Sequence, residues 1–322
     1  MELVEKMLGG NQQALSRLIT LVEKDAPEVP SILKGIHSYT GKAYCVGITG
    51  APGAGKSTLV DKITAVSRDK GLSVGIIAVD PTSPFSGGAV LGDRIRMQKH
   101  YLDSGVFIRS MATRGSLTGL SMATKSTIKL LDAFGMDIIL LETVGVGQIE
   151  VAVMKAVDSV VVVLSPEAGD AIQTMKAGIM EIADIFAVNK ADRPGADQMV
   201  AELKAMLAIN PKHSNWKVPV IATSALDNAG IKELYEAIAG HREFLENSGR
   251  LSLRRQEQLK EDLLRAIEQR FSESLMSLLE TNGALTALSG KVERGELDLY
   301  TAATEFLSNK TAFWDRILEN NI

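Results

Sequence analysis

Eight consecutive residues, Gly50-Ala51-Pro52-Gly53-Ala54-Gly55-Lys56-Ser57, carry the pattern G-x-x-x-x-G-K-[ST]. An apolar run, Tyr44-Cys45-Val46-Gly47-Ile48-Thr49, precedes them and reads as a buried strand. The residues from Thr58 onward read as the first turns of a helix. Strand, glycine-rich turn and helix N-terminus together make a phosphate cradle. Glycines admit backbone conformations that a Cβ blocks, and successive N–H groups converge where the helix dipole favours an anion. Lys56 is expected to reach the β- and γ-phosphates, with Thr58 beside the loop. The Ser57 hydroxyl is expected to ligate Mg²⁺.

A second stretch, Ile138-Ile139-Leu140-Leu141-Glu142-Thr143-Val144-Gly145, is an apolar strand ending in an acid and then Thr-x-Gly. An acid there can hold Mg²⁺ through water, and the Gly145 N–H can meet the γ-phosphate, so the following loop would order with a triphosphate and loosen after hydrolysis. Lys56, Glu142 and Gly145 are therefore the expected catalytic groups. A third stretch, Asn189-Lys190-Ala191-Asp192, follows the apolar run Ile185-Phe186-Ala187-Val188. The Asp192 carboxylate can accept from N1–H and the 2-amino group of guanine, whereas adenine offers it no donor. Asn189 is expected on the N7 side of the base and the Lys190 stem over its face. Ser224-Ala225-Leu226 follows a further strand and offers a backbone N–H to guanine O6. The three stretches in this order point to GTP and GDP rather than adenine nucleotides.

Two loops remain. Asp80 to Met97 is rich in Gly, Pro and Ser, follows a strand, and is placed to cover the phosphates. Asp80 and Asp93 within it are either metal ligands or turn acids. Ser165 to Lys176 follows another strand and reads as a β–α connection beside the site.

The elements that position these groups alternate in type. Strands are expected over about 44–49, 73–79, 106–110, 137–142, 158–164, 184–188 and 218–222, with amphipathic helices between them. Runs such as Val160-Val161-Val162-Val163-Leu164 suit strands buried on both faces. The expected fold is α/β, a P-loop domain with a mostly parallel sheet flanked by helices, carrying helical extensions at both ends. Expected boundaries are 1–42 for an N-terminal helical extension, 43–250 for the nucleotide domain and 251–322 for a C-terminal helical arm. In the first, Leu3, Met7 and Leu8 form one apolar face and Leu15, Leu18, Ile19 and Val22 another, broken at Gly9-Gly10-Asn11. In the last, Leu259, Leu263, Ile267, Phe271, Leu275 and Leu278 step by three or four along one helix, expected over about 252–281 and ended by Gly283. That stripe either packs on its own domain or joins two copies.

Composition narrows the classes. The 322 residues are 45% hydrophobic and 23% charged, with a net charge of −4. No broad basic face for nucleic acid or anionic lipid follows. The single cysteine, Cys45, cannot form a disulfide within one chain. No apolar run approaches the roughly 20 residues that span a membrane, and the first residues lack a signal-peptide pattern. The expectation is a cytoplasmic protein without nucleic-acid or membrane partners.

The stretch from Asp80-Pro81-Thr82-Ser83-Pro84-Phe85-Ser86-Gly87-Gly88-Ala89 to Gly92-Asp93-Arg94-Ile95-Arg96-Met97, with Glu142-Thr143-Val144-Gly145-Val146-Gly147-Gln148, resembles the MeaB/ArgK GTPases. These belong to the P-loop GTPases with Glu in the third motif. The resemblance runs from about residue 12 to 320. It implies a chaperone of adenosylcobalamin-dependent methylmalonyl-CoA mutase, gating cofactor loading and protecting or reactivating the mutase. It also implies a homodimer joined through the C-terminal arm. A third switch loop is implied over 165–176, with Asp170, Gln173 and Lys176 carried over as its functional positions. Gln148 lies three residues past Gly145, and no arginine stands out as a finger; Arg94, Arg96 and Arg114 are the candidates. Slow hydrolysis raised by a partner is therefore expected. Three rivals stand beside this reading. A metal-inserting GTPase would want His or Cys clusters, but His37, His100, His213 and His241 are scattered. An ATPase or kinase component of arginine and ornithine transport conflicts with Asp192. An RNA-associated GTPase conflicts with the acidic balance.

Overall fold

The computed structural model describes residues 2–80, 98–100, 102–112, 122–143, 156–167, 180–209, 215–281 and 284–308. Seven strands form one sheet: β1 (Tyr44–Gly50), β2 (Val74–Asp80), β3 (Val106–Ala112), β4 (Ile138–Thr143), β5 (Ser159–Leu164), β6 (Ile185–Asn189) and β7 (Val220–Thr223). Their order is β3-β2-β4-β1-β5-β6-β7, and every pairing is parallel. The strands start and stop within a residue or two of the expected ranges. β1, β4, β5 and β6 are buried along their whole length, while the edge strand β7 is half exposed. This is why the central strands read as unbroken apolar runs.

The helices are α1 (Glu2–Leu8), α2 (Gln12–Glu23), α3 (Val29–Ile36), α4 (Lys56–Asp69), α5 (Met122–Phe134), α6 (Ala196–Ile209), α7 (Ile231–Asn247), α8 (Arg250–Thr281), α9 (Ala284–Glu293) and α10 (Leu299–Ser308). Strand alternation sorts them into two layers. Cys45, Ile139, Leu141, Val160 and Val162 face a core shared with α1, α2, α3, α5 and α6. Val46, Ile48, Leu140, Val161 and Val163 face the other core, built with α4 and α7. The N-terminal helices thus bury Met7, Leu15, Leu18 and Ile19 in a core of the sheet itself. Asn11 caps α2, its side chain accepting from the Ala14 N–H at 2.8 Å, which explains the break after Gly10.

The chain divides into two compact units, residues 1–255 and 256–322. In the second, Leu259, Leu263 and Ile267 of the α8 stripe, with Leu264 beside them, are each more than half exposed. Gly283 and residues 309–322 lie outside the described residues. The first unit ends on an ion pair. Arg255 donates to Asp158 through Nε at 2.9 Å and Nη2 at 2.7 Å, and also reaches the carbonyls of Gly41 and Ala43. Asp158 also accepts from the Cys45 N–H at 2.9 Å. The pairing holds the Arg255 guanidinium above its ordinary pKa, and burial pushes the Cys45 thiol up.

Asp158 is almost fully buried, so removing it strips a guanidinium and a backbone N–H of their acceptor. Asp158→Ala is expected to cost about 2–3 kcal/mol of stability. Urea denaturation followed by circular dichroism checks this, and an unchanged midpoint would show the pair to be incidental.

Candidate functional site

The phosphate loop leaves the carboxyl end of β1, which lies between β4 and β5. In parallel sheets of this kind ligands collect at those ends, where the connections part to either side. Two glycines are sterically required. Gly50 has φ +139° and lies so close to β5 that a Cβ would sit 2.0 Å from the Val163 carbonyl oxygen. Gly55 has φ +93°, and a Cβ there would come within 2.2 Å of the Asn189 amide nitrogen. α4 begins at Lys56, so its first N–H groups join those of the loop in facing one concavity. The Lys56 ammonium folds back over the loop and donates to the carbonyls of Gly50 at 2.8 Å and Ala51 at 3.0 Å. The Ser57 hydroxyl donates to Glu142 Oε1 at 2.5 Å, and both residues are buried. Behind them Thr143 donates to Thr49 across the β1–β4 pair at 3.0 Å.

The base-side half comes from the carboxyl ends of β6 and β7. Asn189 closes β6 and is buried. Its amide donates to the Ala54 carbonyl at 2.8 Å, while its oxygen accepts from the Thr223 hydroxyl and the Ala225 N–H, both at 3.2 Å. One side chain therefore ties the phosphate loop to the β7 loop, and a second hydrogen on its nitrogen remains for a base edge. Lys190 follows with φ +60°, a left-handed conformation that turns the chain sharply out of the strand. Asp192 is exposed at the rim of this turn, and the Ser224 hydroxyl contacts it at 3.0 Å and Asp227 at 2.5 Å.

Between the halves, among the described residues, lies a cleft of about 290 Å³. Gly53, Gly55, Lys56, Ser57, Thr58 and Glu142 line its phosphate side; Asn189, Lys190, Asp192, Arg193, Ser224, Ala225 and Leu226 line the other. Of the remaining candidates, Gly50 and Ala54 are buried under the loop, and Ala51 and Pro52 lie on its outer turn. Asp80 ends β2 at the same edge of the sheet. Asp93, Gly145, Asp170, Gln173 and Lys176 lie outside the described residues, as do Gln148, Arg94, Arg96 and Arg114. Sequence reasoning missed the bracing role of Asn189, the Thr49–Thr143 pair, and Arg193, Asp227 and Glu167. The usable signal was position, since each of these lies at or just past the carboxyl end of a strand.

The family described as "Methylmalonyl Co-A mutase-associated GTPase MeaB" matches residues 15–280. The chain belongs to the MeaB family. A Pyrococcus abyssi relative is 50% identical over 309 residues, 95% of each chain. The GTPase ArgK of Escherichia coli is 35% identical over 276 residues, 83% of each chain. The mitochondrial methylmalonic aciduria type A homolog of Caenorhabditis elegans is 31% identical over 311 residues, 91% of this chain and 77% of that one. The crystal structure of a LAO/AO transport system kinase superposes with a TM-score of 0.72 at 28% identity, covering 96% of this chain and 97% of that one. The MeaB family is one of P-loop GTPases, a fold that implies guanine-nucleotide binding.

The donor set also fits a small divalent cation. Ser57 and Glu142 bring a hydroxyl and a carboxylate together, the hard oxygen ligands that Mg²⁺ takes. Among the described residues no three His, Cys, Asp or Glu side chains converge to hold a metal unaided. That suits an ion completed by substrate phosphates and water. Gly55→Ala is expected to displace Asn189 and strain the loop by about 2 kcal/mol in all. Titration with a fluorescent guanine nucleotide should then show roughly thirtyfold weaker binding; unchanged binding would show that the close approach is not required.

Proposed function

We propose that this chain is a slow GTPase acting as a homodimeric chaperone of an adenosylcobalamin-dependent methylmalonyl-CoA mutase, gating cofactor loading and protecting or reactivating the mutase. The observation that carries the nucleotide half is the cleft, with Lys56, Ser57 and Glu142 at one end and Asp192, positioned by Ser224, at the other. The client half rests on the family description and on the name of the Caenorhabditis elegans relative.

Lys56 and the loop N–H groups neutralise and align the phosphates. Positioning and charge neutralisation are most of what phosphoryl transfer needs from a protein. Ser57 and Glu142, with Asp80 and Asp93, would hold Mg²⁺, which supplies further neutralisation of the phosphate oxygens when bound. Asp192 selects guanine by accepting from N1–H and the 2-amino group. Hydrolysis removes the γ-phosphate that the Gly145 N–H is proposed to sense. Only a difference in mutase affinity between the GTP and GDP states can then shift the mutase. Asp170, Gln173 and Lys176 are the proposed relay positions. Residues 251–322 are proposed as the dimer arm, because the exposed stripe at Leu259, Leu263 and Ile267 is the kind of face a second copy covers. A second reading, an ATP-using component of amino-acid transport, is motivated by the name of the LAO/AO transport system kinase. Asp192 disfavours it, since adenine offers the carboxylate no donor and sets the N1 acceptor against it.

Two measurements test these readings. Purified protein should hydrolyse GTP slowly, accelerate when methylmalonyl-CoA mutase is added, and leave ATP untouched. No response to the mutase would remove the client, and turnover of ATP would overturn the base assignment. In light scattering after gel filtration, the full chain should run as a dimer and Leu263→Asp combined with Ile267→Asp as a monomer. A wild-type monomer would refute the arm.

A further inference from the structure

The turn that reads the base is held by a loop with no part in the three motifs. Glu167 lies in the turn after β5, just past the buried Ser165. Its Oε2 accepts from Lys190 Nζ at 2.7 Å, and its Oε1 pairs with the Arg193 guanidinium. Lys190 and Arg193 both line the cleft, on either side of Asp192 in sequence. One carboxylate therefore takes both cations of the base-reading turn.

The same two loops also run close together away from Glu167. Gly195 has φ +88°, and a Cβ there would be 3.8 Å from the Pro166 Cβ. The turn itself is braced from inside, with the Arg193 N–H donating to the Lys190 carbonyl at 3.0 Å and the Ala191 N–H to the Thr223 carbonyl at 2.9 Å. The backbone of the turn is thus fixed by β7, and the long side chain of Lys190 is the part left to be aimed. Lys190 has a left-handed backbone, and Glu167 receives the tip of its side chain.

We infer that Glu167 is a positioning residue for guanine recognition: it holds the Lys190 stem over the base face and keeps the Lys190 and Arg193 charges from repelling each other. This rests on the reading of the cleft as a guanine-nucleotide site. The two partners of Glu167 are cations of like sign, so removing the carboxylate leaves them facing one another. The side chains are between a quarter and a half exposed, which limits each pair to a modest effect that salt weakens. Because the contact is made at the base end of the cleft, it acts equally on di- and triphosphates. Glu167 also begins the chain that leads into 168–179. Binding linkage is reciprocal, so a base that settles Lys190 also settles Glu167.

The test is a titration of the full chain with fluorescently labelled GDP and GTP. Glu167→Gln is expected to weaken both by about fivefold at low salt, with the difference shrinking in high salt. Glu167→Asp should recover part of the loss. In a Lys190→Met background, which keeps an apolar stem and removes the charge, Glu167→Gln should change nothing further. Equal affinity of Glu167→Gln and wild type, or an undiminished loss in the Lys190→Met background, would overturn the inference while leaving the nucleotide site intact. A wild-type protein that binds neither nucleotide would overturn the site and the inference together. Thermal melting separates a folding defect from a binding defect, and an equal fall in stability and affinity in every background would overturn the positioning role.

Discussion

A chain of phosphates can be held by backbone N–H groups only if the loop carrying them stays open. In this protein three strands other than the loop's own meet that constraint. Val163 of β5 approaches so closely that position 50 must be glycine. Glu142 at the end of β4 engages Ser57. Asn189 at the end of β6 takes the Ala54 carbonyl. Lys56 bonds the loop's own carbonyls, so the ammonium waits over the cradle. The parallel sheet brings these groups together because every strand delivers its carboxyl end to the same edge.

Asn189 makes the two halves of the cleft one structure. A single buried amide joins Ala54 of the phosphate loop to Ala225 of the loop after β7. Buried amides with both ends bonded are costly to disturb, which suits a residue linking recognition to chemistry.

The opposite edge of the sheet carries a different load. Asp158 before β5 and Asp184 before β6 receive Arg255 and Arg254, which lie in the first turns of the long helix α8. Tyr44, Ser159 and His241 form a buried polar string beside them, with successive contacts of 2.5 Å. The amino ends of the strands thus anchor Arg254 and Arg255 in the first turns of α8, and the carboxyl ends line the cleft. The cleft and the ion pairs of Arg254 and Arg255 therefore occupy opposite ends of the same sheet.

Much of this was legible in the residues alone. The central strands β1, β4, β5 and β6 read most clearly, because strands buried on both faces have few polar positions to blur them. The phosphate loop and the Asn189–Asp192 turn could be read because nucleotide chemistry demands particular residue types at fixed spacing. The helix break at residues 9–11 was visible as a glycine pair followed by a capping asparagine. Tertiary structure alone decided the rest. The strand order, with β4 inserted between β2 and β1, depends on which faces pack together and leaves no local mark. The N-terminal helices read as an outer extension, yet they fill a core of the sheet, because an amphipathic face does not say which apolar surface it meets. Glu167, Asp158 and Arg255 look like ordinary surface charges in the sequence. Their partners lie 23 residues away for Glu167 and Lys190, and 97 away for Asp158 and Arg255. Ion pairing over such separations is set by the fold that brings the charges together, not by any periodicity the chain carries.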